Sequence, residues 1–176
     1  HLDQPRFEAY DHQPHLLIAS AALWADYARQ LGAAADACAL ADPLLPPARV
    51  LEMLEGVALP SPEQLGGVTP SPLTPTRLLR LAASASRKAA VSSRQEMYAR
   101  GMPPIQALRQ SLGALVGAPE LRIKDIQDRV RGRYPEASAL PDRPSLDRLL
   151  EEAGAPLTWD ITAADGRGAY RLATLG

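Results

Sequence analysis

Pro144-Ser-Leu-Asp-Arg-Leu-Leu-Glu-Glu-Ala-Gly-Ala-Pro-Leu-Thr-Trp-Asp-Ile161 is the stretch on which the fold turns. Its first half puts Leu146, Leu149, Leu150 and Ala153 on one stripe of a helix that opens with Pro144, after Asp142 or Arg143, and closes at Gly154. The period then changes. Leu157, Trp159 and Ile161 alternate as on a strand with one buried face, Asp165-Gly166 supplies a turn, and Tyr170, Leu172 and Thr174 alternate on a return strand.

Two further helices precede this one. Ile105, Leu108, Leu112 and Leu115 follow Pro103 at helical spacing, and Gly117 with Pro119 ends the run. Leu121 adds a short strand position. Ile123, Ile126, Val130 and Tyr134 then mark one face of a second helix, which Pro135 terminates. Three helices and a β-hairpin in this order predict a winged-helix module over residues 103–176, within a mainly α chain.

Upstream, Leu59-Pro-Ser-Pro-Glu-Gln-Leu-Gly-Gly-Val-Thr-Pro-Ser-Pro-Leu-Thr-Pro75 carries five prolines after Leu59 and two glycines, which forbid a continuous helix or a central strand. A Pro-rich linker or extended wrap is therefore expected over 61–75. Residues 1–60 read as a helical region. Leu16-Leu-Ile-Ala19 is either a short strand or the start of a helix through Trp24 and Tyr27 to Leu31, and Pro47 to Gly56 reads as a short helix. Thr74-Pro75 predicts a helix start, with a connecting helix over 76–102 that runs toward Ser92 or Arg100.

Composition bounds the chemistry. With 46% hydrophobic and 22% charged residues, the 176-residue chain is an ordinary globular sequence. Its longest apolar stretch, Leu16 to Ala25, is half of the roughly 20 residues a membrane span needs, so no membrane association is expected. The start at His1, without a Met, reads as a piece of something larger. Cys38 stands alone, which excludes an intrachain disulfide and fits a cytoplasmic setting; in an Ala-rich run it reads as a small buried hydrophobe. His12 and His15 lack the further ligands that a metal site needs. Phosphate loops, dinucleotide fingerprints, zinc helices and nucleophile elbows are missing from the sequence, so no catalytic, cofactor or metal residue is assigned.

Charge is segregated although the total is only -1. Residues 77–133 hold twelve Arg or Lys against four acids, while 1–76 and 134–176 are both acidic. Arg122, Lys124, Arg129, Arg131 and Arg133 cluster on the second helix of the module and are the candidate nucleic-acid contacts. The third helix, which reads bases in DNA-binding winged helices, carries two Arg against Asp142, Asp147, Glu151 and Glu152. A net negative helix without Asn, Gln or Lys suits protein contact better than base readout. An exposed apolar patch around Trp159 or Tyr170 is the expected docking surface, Tyr170 being the more exposed of the two.

Leu121-Arg-Ile-Lys-Asp-Ile-Gln-Asp-Arg-Val-Arg-Gly-Arg-Tyr-Pro-Glu-Ala137 and Leu140-Pro-Asp-Arg-Pro-Ser-Leu-Asp-Arg-Leu-Leu-Glu-Glu-Ala-Gly154, with the Trp159-Asp160 strand, resemble the C-terminal region of the PglW-like serine/threonine kinases of Pgl and BREX phage-defence systems. Leu40-Ala-Asp-Pro-Leu-Leu-Pro-Pro47 and Thr76-Arg-Leu-Leu-Arg-Leu-Ala-Ala83 are similar too. The resemblance implies a bacterial kinase whose ATP- and magnesium-binding residues lie outside this chain, because no glycine-rich loop, His-Arg-Asp or Asp-Phe-Gly segment occurs here. The expected function is then a noncatalytic protein-interaction or regulatory module with other defence-system proteins as partners. A nucleic-acid-binding module acting through residues 122–133 is the alternative.

Overall fold

The computed structural model describes residues 8–12, 15–19 and 22–173. The chain is mainly helical and divides into two compact units, residues 1–100 and 101–176.

In the first unit, strands β1 (Glu8–His12) and β2 (His15–Ala19) form an antiparallel hairpin, so Leu16 to Ala19 is strand rather than helix start. Helix α1 (Ala22–Ala39) follows, then α2 (Pro47–Glu55) and α3 (Pro75–Ala85), both of which begin on a proline whose missing N–H costs nothing in a first turn. An antiparallel hairpin of β3 (Ala89–Val91) and β4 (Met97–Ala99) completes the unit. Leu31, Ala35, Cys38, Val50, Leu54, Leu79 and Met97 build its core. Small residues let α1 and α3 approach closely: a Cβ on Gly32 would stand 2.2 Å from the Ala85 carbonyl oxygen.

The helix expected over 76–102 ends at Ala85 instead. Ser86 is buried, and its hydroxyl donates to the Ala83 carbonyl (2.7 Å) while accepting the Ala89 N–H (3.0 Å). From α1, the Asp36 carboxylate takes the next two amides, Arg87 (3.2 Å) and Lys88 (2.7 Å). The N–H groups that would have continued the helix are satisfied elsewhere, and the chain turns back as β3. Residues 76–100 therefore belong to the first unit and do not form a connecting helix. The Pro-rich segment 61–74 contains no helix or strand, yet the helix after it packs on α1, so it wraps within one unit.

The second unit runs α4 (Pro104–Leu115), β5 (Glu120–Leu121), α5 (Ile123–Arg133), α6 (Ser145–Glu152), β6 (Leu157–Asp160) and β7 (Ala169–Leu172). The sheet order is β5-β7-β6, antiparallel throughout, with Leu121 opposite Tyr170 and Trp159 opposite Tyr170 in the two registers. Leu108, Leu115, Leu121, Ile126, Val130, Leu146 and Leu150 are buried beneath the three helices. Burial of one such side chain is worth about 1.5–3 kcal/mol. The β6–β7 connection is longer than an Asp165-Gly166 turn: residues 161–168 intervene, with a helical turn at Ala163–Gly166 in which Ala164 and Asp165 are left-handed. Ile161, expected on the strand, lies past its end and is 72% exposed. Thr174 lies outside the described residues.

Candidate functional site

Three features of the second unit are candidates for contact with a partner: the cations of α5, the groove beside them and the aromatic pair on the sheet. Arg122 precedes α5, and its guanidinium forks onto Asp125 (3.0 Å to each oxygen), whose carboxylate also accepts the Arg122 N–H at 2.9 Å. This arrangement holds the Asp125 carboxyl below its ordinary pKa, chiefly through the side-chain hydrogen bond from Arg122. Arg131 pairs with Asp128 at 3.2 Å. Arg129 donates to the Ala114 carbonyl (2.7 Å) and Arg133 to that of Gln110, so both cover carbonyls of the last turns of α4, where a cation is favourable. The Arg133 guanidinium also lies over the Tyr134 ring at 5.1 Å. Lys124 is exposed and forms no ion pair among the described residues. Most of the five candidate cations thus have work inside the unit.

A groove of about 470 Å³ runs along α5 and the loop after it, lined by Gln127, Val130, Arg131, Tyr134, Leu140 and Asp142 among others. Gln127 reaches across one end, its amide donating to Asp142 at 2.8 Å and to the Pro141 carbonyl at 3.3 Å. These bonds fix the loop that leads into α6.

The aromatic pair departs from expectation. Tyr170 is buried, 1% exposed, and Trp159 is the half-buried member, the reverse of the expectation that Tyr170 is the more exposed of the two. Their rings meet edge to face at 5.1 Å. The Tyr170 hydroxyl donates to Asp147 of α6, and burial, then the Asp147 carboxylate, push its pKa up. Asp147 also receives Arg143 at 2.9 Å, and that guanidinium lies 4.1 Å from the Trp159 ring centroid. On the ring's other contact, Gly168 (φ +81°) approaches so closely that a Cβ would stand 2.2 Å from Trp159 Cζ2. The result is a locked cluster that joins α6 to β6 and β7. Tyr170 is closed off inside it, while the outer part of Trp159 and the exposed Ile161 stay at the surface.

The exposed side of α6 shows Arg148, Glu151 and Glu152, with Glu152 3.7 Å from Arg109 of α4. Among the described residues no group of His, Cys, Asp and Glu is placed to hold a metal, and no helix is long and apolar enough to cross a membrane. Cys38 is buried in α1 with its sulfur 3.7 Å from that of Met53, and burial raises its thiol pKa, as suits a packing residue rather than a nucleophile. The sequence missed the ties of Arg129 and Arg133, because a carbonyl acceptor on another helix leaves no mark in composition.

No protein-family profile matches the chain, and no solved structure matches it. Among curated proteins it is similar to a bacterial kinase, described as a probable kinase. That relative is Probable kinase PglW of Streptomyces coelicolor, 34% identical over 164 aligned residues covering 82% of this chain. The chain spans about 10% of the length of that relative, so it resembles a fragment of PglW.

Proposed function

We propose that the chain is a noncatalytic, protein-docking part of a larger serine/threonine kinase of the Pgl and BREX phage-defence type, working in the cytoplasm. Similarity to PglW over 82% of the chain supports the parent, and the missing kinase motifs support a noncatalytic role. On this reading residues 101–176 are a separate winged-helix domain: α4, β5, α5 and α6 precede the β6–β7 wing, and β7 sits between β5 and β6.

The observation that carries the docking role is the charge of α6. In a DNA-reading winged helix this third helix enters the major groove, but here its open side offers Glu151 beside Arg148, with Glu152 facing Arg109 of α4, a surface without the excess positive charge that holds a polyanion and with carboxylates that a basic protein surface can meet. The five α5 cations support the alternative nucleic-acid reading less well, since Arg122 and Arg131 face their own carboxylates and Arg129 and Arg133 face carbonyls.

The test expresses the tagged chain together with the other proteins of its operon and captures it with and without nuclease. Retention of an operon protein after nuclease, and its loss on Glu151→Lys with Glu152→Lys, is the expected result. Release of every operon protein by nuclease overturns the docking role.

A further inference from the structure

The first unit holds a second arrangement of the same kind, with cations rather than carboxylates on its third helix and the hairpin after it. Its helices α1, α2 and α3 are followed by the β3–β4 hairpin, the order in which three helices precede β6 and β7 in the second unit. Between residues 77 and 100 the sequence places Arg77, Arg80, Arg87, Lys88, Arg94 and Arg100 against a single acid, Glu96.

The structure puts most of these cations outward. Helix α3 turns Leu78, Leu79, Ala82, Ala83 and Ala85 into the core, leaving Arg77 and Arg80 exposed one turn apart. Arg87 and Lys88 are exposed just beyond the end of the helix, where Asp36 occupies their backbone amides and leaves their side chains unengaged. Arg94 stands at the tip of the hairpin. That tip is fixed from below by Ser92, which is buried and whose hydroxyl accepts the N–H of Arg94 (3.2 Å) and of Glu96 (3.0 Å). Among the described residues Arg77, Arg80, Arg87, Lys88 and Arg94 form no ion pair, unlike Arg122 and Arg131 of α5.

We infer that the first unit binds duplex DNA, with α3 laid against the major groove and Arg94 at the hairpin tip reaching the flanking backbone. Three observations favour this ligand. The cations are Arg-rich, which suits forked contact with phosphate. Arg77 and Arg80 lie on the third helix and Arg94 on the hairpin next to it, the two elements a winged helix applies to B-form DNA, with Arg87 and Lys88 on the turn between them. No exposed Asn or Gln lies on α3, so the contact is to phosphate and tolerant of sequence. Duplex RNA is excluded as the preferred ligand because its deep, narrow major groove does not admit a helix. The inference is independent of protein docking by the second unit.

The test is fluorescence anisotropy of the whole chain with a labelled mixed-sequence DNA duplex, titrated at several salt concentrations. Salt-dependent binding is expected. Replacing three phosphate contacts in Arg77→Gln/Arg80→Gln/Arg94→Gln should lower the slope of log affinity against log salt by about 3 and weaken binding roughly a hundredfold near 0.1 M salt. Arg122→Gln/Arg131→Gln should change affinity by less than about threefold, because those cations are already paired. Arg94→Glu alone touches nothing in the core and should cost about tenfold, which keeps the test open if the triple variant melts early. Absence of salt-dependent binding, unchanged affinity in both unit-one variants, or tighter binding of a duplex RNA of the same sequence would each overturn the inference.

Discussion

Tyr170 of β7 and Asp147 of α6 are joined by a hydrogen bond from the phenol to the carboxylate, which ties the sheet of the second unit to its third helix. The hydroxyl is buried and the carboxylate also holds Arg143, so the bond is charge-assisted and water cannot replace it cheaply. Tyr170→Phe should cost about 1–2 kcal/mol in urea unfolding, with little change in fold. The folded-state pKa of Tyr170 is raised, so its contribution is complete below the ordinary tyrosine value of 10.0 and is lost as the pH climbs beyond it. Wild-type stability should fall more steeply above pH 10 than that of Tyr170→Phe; parallel curves would show that another group governs alkaline unfolding.

The second unit was more legible in the sequence than the first, for a physical reason. Pro103, Gly117, Pro135, Pro144 and Gly154 act locally, and they mark five of the six ends of α4, α5 and α6 within one or two residues. From Ser86 to Arg100 neither Pro nor Gly occurs, so local propensity favours a continuing helix. What stops it is Asp36, fifty-one residues upstream of Arg87 in the chain. The turn after Ala85 also redistributes the basic residues: on a helix running to Arg100, Arg77, Arg80, Arg87, Lys88 and Arg94 would line one face, whereas here Arg77 and Arg80 stay on α3, Arg87 and Lys88 sit on the turn after it and Arg94 stands on the hairpin. Tyr170 and Trp159 were inverted because alternation says which residues share a face, and these two share one; it does not say which of them the neighbouring helix covers.

Gly32 is a position where the first unit has no room. A Cβ there would meet the Ala85 oxygen at 2.2 Å, its carbon at 2.5 Å and the Ser86 nitrogen at 2.9 Å, all backbone atoms that cannot rotate away. Gly32→Ala gains helix propensity of about 1 kcal/mol in α1, yet must push α3 outward. The overpacking term should win, for a net loss of about 1–3 kcal/mol in urea unfolding. Unfolding of Gly113→Ala, at a helical glycine with open space around it, should move the other way by up to about 1 kcal/mol.

Asp125 closes the first turn of α5 by accepting the Arg122 amide and guanidinium. Its folded pKa is depressed, so the stabilisation is present above the ordinary value of 3.8 and disappears as the pH falls through the depressed one. Asp125→Asn should lower stability at pH 7 by about 0.5–1 kcal/mol, since the amide keeps one weak acceptor and loses the charge. The gap between the two proteins should narrow below about pH 4. A gap of constant size down to the acid transition would place the loss in packing rather than in the ion pair.

Ser111 lies on the buried face of α4, 1% exposed, and its hydroxyl oxygen has no hydrogen-bond partner. A buried hydroxyl left unpaired forfeits its water contacts without compensation, at a cost of about 1–3 kcal/mol. Ser111→Ala removes the oxygen, leaves a methyl group of nearly the same reach and improves helix propensity by a few tenths of a kcal/mol. The two effects carry the same sign, and the void left by one oxygen atom is too small to offset them. The substitution should therefore stabilise the second unit, by about 0.5–2 kcal/mol, read as a rise in the urea midpoint at unchanged slope. A destabilised Ser111→Ala would mean that the hydroxyl is engaged by a water or by a neighbour inside α4, and the same comparison on Ser111→Val, which restores volume without polarity, would separate that case from simple loss of packing.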